Sequence, residues 1–381
     1  MDFELSDEQR MLRDSVEKLI VPAYDDLGMR AKTGAADPGY SVEQWNKLAE
    51  LGLLSLNFSE EDGGFGGGTV ETGIVMEAIG KGLSLEPYLA SIVLGANFVR
   101  LGASDAARAE LIGPIAEGTM RLAFAQTERQ ARYDLQDVST SARKSGEGYI
   151  LEGDKTVVMH GDSATAFVVS ARTSGGRRDK HGITLFLVDA SAPGVSRRGF
   201  ATQDGLRGAA VSFASTPATV VLGTIDEGYE LIERVVDLGI AALAAEAVGA
   251  MEALHKLTLE YLKTRKQFGV PIGSFQALQH RAVDMFTALE QARSMSLYAA
   301  MMAGSDDARA RRAAVSAAKV QINTSAKYVG QQAVQLHGGI GVTQEYRAGH
   351  YFKRLTMIEN IFGDNEYHLR LVDEAGGVIE A

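Results

Sequence analysis

The sequence predicts an α+β protein in which helical stretches flank a run of short β-strands, and three observations carry that expectation. Prolines fall unevenly: Pro22, Pro38, Pro87 and Pro114 come early, Pro193 and Pro217 in the middle, and beyond Pro271 there are none. A proline inside a helix costs on the order of 3 kcal/mol, so the long proline-free reach favours a helical C-terminal part. Within it Leu243, Ala247, Met251, Leu254, Leu257 and Tyr261 step by three and four, the period of one apolar helix face. Between about Arg121 and Gly223 the character changes to short β-rich runs separated by turn signals. A helix, β, helix order without βαβ alternation argues against a Rossmann fold, so any dinucleotide must be held by other means.

Taken in order, Ser6-x-x-Gln9 is a capping-box signal that opens a first helix, with Leu12, Val16, Leu19 and Ile20 on one face. Trp45, Leu48, Leu51 and Leu54 begin a second helical stretch, which ends in Asp62-Gly63-Gly64-Phe65-Gly66-Gly67-Gly68. Those glycines follow no strand and lack G-x-G-x-x-G spacing, so they read as a structural turn rather than a phosphate cradle. The β-rich runs are Gly148 to Met159, Ala164 to Arg172, Gly182 to Asp189 and Ala218 to Gly223. Ser174-Gly175-Gly176 and Ala192-Pro193-Gly194 separate them, as in a small antiparallel β domain.

A chain of 381 residues with 45% hydrophobic content can bury a large core, and its length allows two or three structural units. It contains no cysteine, which excludes disulfides, thiolate metal sites, iron–sulfur centres and a cysteine nucleophile, and fits a reducing cytoplasm. The net charge of −11, with no long Lys/Arg run, opposes binding to nucleic acid. The start, Met1-Asp2-Phe3-Glu4-Leu5, is acidic where a signal peptide would be basic, and the apolar stretch from Ile240 to Met251 is broken by Glu246. A soluble cytoplasmic protein without a membrane span is expected. Seven histidines show no HExxH spacing, so no metal site is expected.

Two segments point to a specific chemistry. Tyr261 to Gln276 reads Tyr-Leu-Lys-Thr-Arg-Lys-Gln-Phe-Gly-Val-Pro-Ile-Gly-Ser-Phe-Gln, and later comes Gln335-Leu336-His337-Gly338-Gly339-Ile340-Gly341. Together they resemble the two flavin-nucleotide segments of the acyl-CoA dehydrogenases. The likeness extends to Asp7-Glu8-Gln9, Glu50-Leu51-Gly52-Leu53 and Gly182-Ile183-Thr184-Leu185-Phe186-Leu187-Val188. It implies that family's fold: an N-terminal helical domain (1–120), a middle antiparallel β domain (121–223) and a C-terminal four-helix bundle (224–381). It also implies FAD as cofactor and α,β-dehydrogenation of an acyl-CoA thioester. A carboxylate takes the α-proton, flavin N5 takes the β-hydride, and electrons leave to an electron-transfer flavoprotein.

By the same resemblance, Arg265 meets the FAD pyrophosphate with Gln267 and Phe268, and a guanidinium fork suits paired phosphate oxygens. Phe275 and Gln276 fall on further contacts to that cofactor, and Gln335, Gly338 and Gly339 offer side chain and bare backbone. A glycine in a helical region costs roughly 1 kcal/mol and needs a reason such as close approach of a ligand. In the family both segments grip the FAD of the neighbouring subunit.

The ring side departs from the pattern. Where the family has Thr-Glu-Pro-x-x-Gly-Ser-Asp, Thr127-Glu128 runs on into Arg129-Gln130-Ala131-Arg132-Tyr133-Asp134, so Thr127 is what remains of that cofactor contact. The Trp-Ile-Thr segment reads Val157-Val158-Met159, which suits a core strand. Gly363 stands on the usual catalytic glutamate; Asp364 is one residue late, and Asn365 beside it is a further cofactor contact. Asp364 is the candidate base, with an ordinary helix cap as its alternative. The other family location for a base reads Asp237-Leu238-Gly239-Ile240 and carries no glutamate. Three readings follow: the small subunit of a heteromeric tetramer acting with a catalytic family member, a self-sufficient homotetramer using Asp364, or a flavin-free scaffold. Retention of the nucleotide segments speaks against the last.

Overall fold

The computed structural model describes residues 5–377, so the acidic start Met1–Glu4 lies outside them. Among the described residues six α-helices come first: α1 (Asp7–Ile20), α2 (Leu27–Ala35), α3 (Val42–Glu50), α4 (Thr69–Gly82), α5 (Asn97–Gly102) and α6 (Asp105–Ala116). Eight strands follow: β1 (Leu122–Ala125), β2 (Ser141–Ser145), β3 (Gly148–Met159), β4 (Ala166–Arg172), β5 (Ile183–Asp189), β6 (Val195–Ala201), β7 (Arg207–Ala218) and β8 (Val220–Leu222). Then come α7 (Gly228–Thr264), a hairpin of β9 (Lys266–Gln267) and β10 (Val270–Pro271), α8 (Gln276–Ala303), α9 (Ala308–His337), α10 (Arg347–Asn360) and α11 (Asn365–Glu374).

The N-terminal signals act as their chemistry dictates. The Ser6 hydroxyl accepts from Gln9 N at 3.2 Å and the Gln9 side chain accepts from Ser6 N at 3.0 Å, satisfying two free helix-end donors at once. Trp45 and Leu48 are buried on α3, but that helix stops at Glu50 and Leu51, its C-cap, is 49% exposed. The glycine run is a packed turn: a Cβ on Gly64 would stand 2.3 Å from the Phe58 carbonyl oxygen.

The chain folds into two compact units. The first gathers the chain up to Ala31, Thr69–Ser84 and everything from Ile240 onward. Its helices are tied by one buried and one half-buried set of charges, and a charge survives burial only when paired. Arg354 on α10 grips Glu246 on α7 through Nε–Oε1 at 2.6 Å and Nη2–Oε2 at 2.8 Å. Lys81 on α4 lies 2.7 Å from Glu17, 3.1 Å from Glu77 and 3.3 Å from Glu252. The α7 stripe behaves as its period requires, with Leu243, Ala247, Met251 and Leu254 all buried.

The second unit, Lys32–Gly68 with Leu85–Gly239, holds the sheet. The strand order is β6-β7-β3-β2-β4-β5-β8, with β1 paired to β4. Phe167 and Val169 of β4 register opposite Val188 and Phe186 of β5, and Leu151, Val158, Val211 and Phe213 complete one core. β1 and β2 each pair β4 in parallel, so the sheet is mixed where turn-bounded runs suggest an antiparallel one. The cause is topological: the chain leaves β1 through a long loop and the β2–β3 hairpin before returning as β4. The edge strand β6 gives no apolar alternation, since Ser196, Arg197, Arg198 and Gly199 all face solvent. Among the described residues no helix is long and apolar enough to cross a membrane.

Candidate functional site

At the end of α7, Arg265 N still donates to Tyr261 O at 2.8 Å, and Ile272 N returns to Arg265 O at 2.8 Å, closing a hairpin over the intervening residues. Its register pairs Gln267 with Val270, leaving Phe268 and Gly269 as a two-residue turn with φ of 54° and 83°. Two successive positive φ values are what such a hairpin turn requires; glycine takes one freely, whereas an aromatic residue there is uncommon. The turn lifts Phe268 off the protein, leaving it 91% exposed, with the ring edge-to-face against Phe275 at 6.1 Å. Arg265, Gln267 and Gln276 are exposed beside it.

The second segment closes α9. The Gly338 N–H donates back to Val334 and Gln335 carbonyls, and Gly338 turns the chain at φ 63°. Gln335, Gly338 and Gly339 are exposed. Gly339 has no positive φ, and a Cβ built on it would meet nothing within 4 Å. Nothing inside the chain therefore demands glycine at 339.

An aromatic cluster brings the two segments together: Tyr261 stacks on His337 at 4.6 Å, and Tyr346 meets them at 6.3 and 5.0 Å. Tyr261 lies one helical turn before Arg265, and His337 directly precedes Gly338. Burial holds the His337 imidazole below its usual range, only partly opposed by the Ala333 carbonyl that its Nδ1 meets at 2.8 Å. A neutral, stacked ring suits a rigid joint, and sequence spacing alone does not reveal it.

The turn before α11 carries the base position. Gly363 sits at φ 131°, and a Cβ on it would stand 2.5 Å from Tyr367 Cδ1 and 2.6 Å from His368 Nε2. A side chain there requires the Tyr367 and His368 rings to shift. The Asp364 carboxylate accepts from Tyr367 N at 3.0 Å and caps α11. Asn365 donates to Thr324 Oγ1 at 3.1 Å, while its own Oδ1 is buried without a partner.

In the second unit Thr127 follows β1, half-buried, its carbonyl accepting from Thr156 N at 2.7 Å. Its neighbours are engaged by a lysine that motif reading passes over. Lys155, fully buried on β3, donates to Glu128 Oε1 at 2.8 Å, Gln126 O at 3.1 Å and Ser170 Oγ at 3.0 Å. Glu128 also accepts from Ser139 N at 2.9 Å, Thr140 N at 3.0 Å and Gln130 Nε2 at 2.7 Å. Burial alone would raise the Glu128 pKa, but the ammonium and these donors pull it to about 2. A lysine among strand residues is the signal that could have found this pair. Beyond it, Val158 is core and Val157 is 47% exposed.

The donor set can be tested against FAD. One exposed guanidinium, two exposed aromatic rings, three side-chain amides and open glycine backbone fit a diphosphate nucleotide. The ring side offers the Thr127 hydroxyl and aliphatic Val157, with neither an aromatic wall nor a second hydroxyl. The residues present thus fit the nucleotide half of the cofactor and fit the ring half poorly.

Comparison with known proteins identifies the family. The sequence matches the N-terminal, middle and C-terminal domains of acyl-CoA dehydrogenase over 6–119, 123–215 and 226–377. It is 31% identical to the probable acyl-CoA dehydrogenase YngJ of Bacillus subtilis, across 96% of this chain and 97% of that one. Butyryl-CoA dehydrogenase from Megasphaera elsdenii superposes with a TM-score of 0.88 at 26% identity, covering 98% of this chain and 99% of the other. A chain of the ChsE4-ChsE5 complex from Mycobacterium tuberculosis gives 0.87 at 27% identity, over 100% of both. From helical start through mixed sheet to closing helices, this chain belongs to the acyl-CoA dehydrogenase family.

Proposed function

We propose that the chain is the small subunit of a heteromeric acyl-CoA dehydrogenase, working with a second family member to introduce an α,β double bond into an acyl-CoA thioester. In this reading domains 1–120, 121–223 and 224–381 make up one of the four chains of an α₂β₂ tetramer, in a cytoplasmic setting that suits a cysteine-free chain. Arg265, Gln267, Phe268, Phe275, Gln276, Gln335, Gly338 and Gly339 hold the nucleotide half of an FAD. FAD, when bound, supplies the hydride acceptor, and an electron-transfer flavoprotein takes the electrons onward. Arg265 sets two N–H donors against paired phosphate oxygens, Phe268 covers the nucleotide, and Gly338 and Gly339 let backbone approach it. Thr127 and Asn365 remain as minor contacts. The partner supplies the ring wall and the carboxylate that takes the α-proton.

One observation carries this reading: the nucleotide segments face outward, while the base position is a glycine whose Cβ space is filled by Tyr367 and His368. The similar chain of the ChsE4-ChsE5 complex supports it, since that structure is a complex of two differently named chains. Expressed alone, this chain should carry far less than one FAD and turn over no acyl-CoA. Co-expression with a family member bearing intact ring and base segments should restore yellow colour and activity together, with two FAD per tetramer. One FAD per chain in the pure homo-oligomer, with turnover, overturns the heteromer and moves the weight to Asp364.

A further inference from the structure

We propose that Lys319 is a positioning residue: from inside the helical unit it fixes where α10 ends, and so sets the turn that presents Asp364 and Asn365 at the start of α11. The inference rests on the FAD reading above only for what that turn serves, and holds whether FAD belongs to a heteromer or to this chain alone.

Lys319 is fully buried on α9, and unlike Lys155 it meets no carboxylate at ion-pair distance among the described residues. Its Nζ donates to the Asn323 amide oxygen at 3.0 Å and to the Ile358 carbonyl. Asn323, itself buried, extends the chain of bonds, its Nδ2 donating to Glu359 O at 3.4 Å. Both carbonyls lie in the last turn of α10, where a helix supplies too few donors of its own. Beyond them the chain leaves the helix through Phe362 at φ 61° and Gly363 at φ 131°. Ser316 ties the far side of the turn, since its hydroxyl bonds His368 Nδ1 while His368 Nε2 holds Phe362 O, both at 3.1 Å. Ser316, Lys319 and Asn323 are three and four residues apart, so one face of α9 grips both ends of the turn. Next to Asn323, the Thr324 hydroxyl accepts from Asn365 at 3.1 Å.

A buried ammonium bonded only to neutral oxygens weakens the fold, because those oxygens do not return the hydration it gives up. Burial above all drives the Lys319 pKa down to about 7 from an ordinary 10.5; Glu359 on α10 and Asp364 on α11 oppose this, and Arg354 on α10 adds to it. The other charged or titratable groups facing this core are spoken for: Arg354 is paired with Glu246 on α7, and His368, near Arg312, is held neutral by burial. Methionine would fill much the same volume without the cost of the charge. What the lysine adds, and methionine cannot, is a donor that reaches across to the end of α10.

The test is Lys319→Met, read in two ways. In urea at pH 7 the purified full-length variant should unfold at a higher midpoint than wild type. Between about 7 and 10.5 the unfolded chain holds a proton that the folded chain has lost, so wild-type stability rises with pH and the gap should narrow from pH 7 to 9.5. In the FAD-loaded enzyme, by contrast, Lys319→Met should weaken FAD retention by up to about tenfold, the scale of one hydrogen bond, as Asn365 loses its fixed place. Asn323→Ala, which keeps the lysine but removes the bond to Glu359 O, should weaken retention in the same direction. A lower urea midpoint for Lys319→Met makes the lysine an ordinary structural tie and overturns the proposal, as does unchanged FAD retention in both variants. Where Lys319→Met folds poorly, ¹³C NMR of labelled lysine side chains in the wild type replaces the urea measurement: one lysine should titrate near pH 7, and none titrating below pH 9 overturns the proposal. A pure chain that loads one FAD overturns the heteromer and leaves these outcomes unchanged, since the urea and NMR measurements need neither partner nor flavin.

Discussion

Among the described residues the Arg265 guanidinium, exposed at the end of α7, has no hydrogen bond or ion pair, which is the arrangement expected of a side chain whose ligand comes from outside. In the assembled enzyme, Arg265→Ala should weaken FAD retention by about 1.5 to 3 kcal/mol, as for loss of a hydrogen bond to a charged group. Flavin content after gel filtration measures this, and unchanged content would remove Arg265 from the site. Asp364 presents the opposite case, a carboxylate already bonded to a helix-end N–H. Asparagine caps helices as well as aspartate does but cannot take a proton. Asp364→Asn should therefore leave both stability and turnover of the complex unchanged. A fall of 10² or more in flavin reduction rate would instead make Asp364 the base, since general-base catalysis contributes about 10² to 10⁴. Both residues were legible in the sequence as candidates. What was not legible was the direction each faces, because exposure and capping depend on where the next helix begins.

At the scale of elements, α11 docks on α9 through His368. Its Nε2–H donates to Phe362 O at 3.1 Å, which leaves Nδ1 to accept from the Ser316 hydroxyl at 3.1 Å. Burial above all, with Lys319 and Arg312 nearby, pushes the imidazole pKa down to about 3 from an ordinary 6.5. The folded protein thus stays unprotonated while the unfolded chain takes up a proton below pH 6.5. This stabilisation is full above pH 6.5 and is lost as pH falls toward about 3, at up to about 1.4 kcal/mol per pH unit. Urea unfolding at pH 7.5 and 5.0 should show a smaller difference for His368→Gln than for wild type. An equal difference would place the acid sensitivity elsewhere. The same docking fills the space beside Gly363, so the missing glutamate and the packed histidine are two aspects of one element. The sequence revealed the glycine but not the neighbour that occupies its volume.

At the scale of the whole molecule, the sequence by itself determined the order of helical and β regions, the acidic cysteine-free composition and the family, because periodicity, proline placement and short motifs are local properties. It located β3 from Gly148 to Met159, and in the α7 stripe apolar pattern and burial coincide. It missed β6, whose solvent-facing arginines give no alternation, and the parallel return of β4 beside β1, since pairing partners are set by topology. Only the tertiary structure decided how Tyr261 and His337 join the segments around Arg265 and Gly338, how Lys155 is buried against Glu128, and how Asp137 couples Arg177 to Arg178. The physical reason is common to all three. Each depends on residues far apart in the chain, and a charge or ring gains its role from the burial and partners that folding gives it.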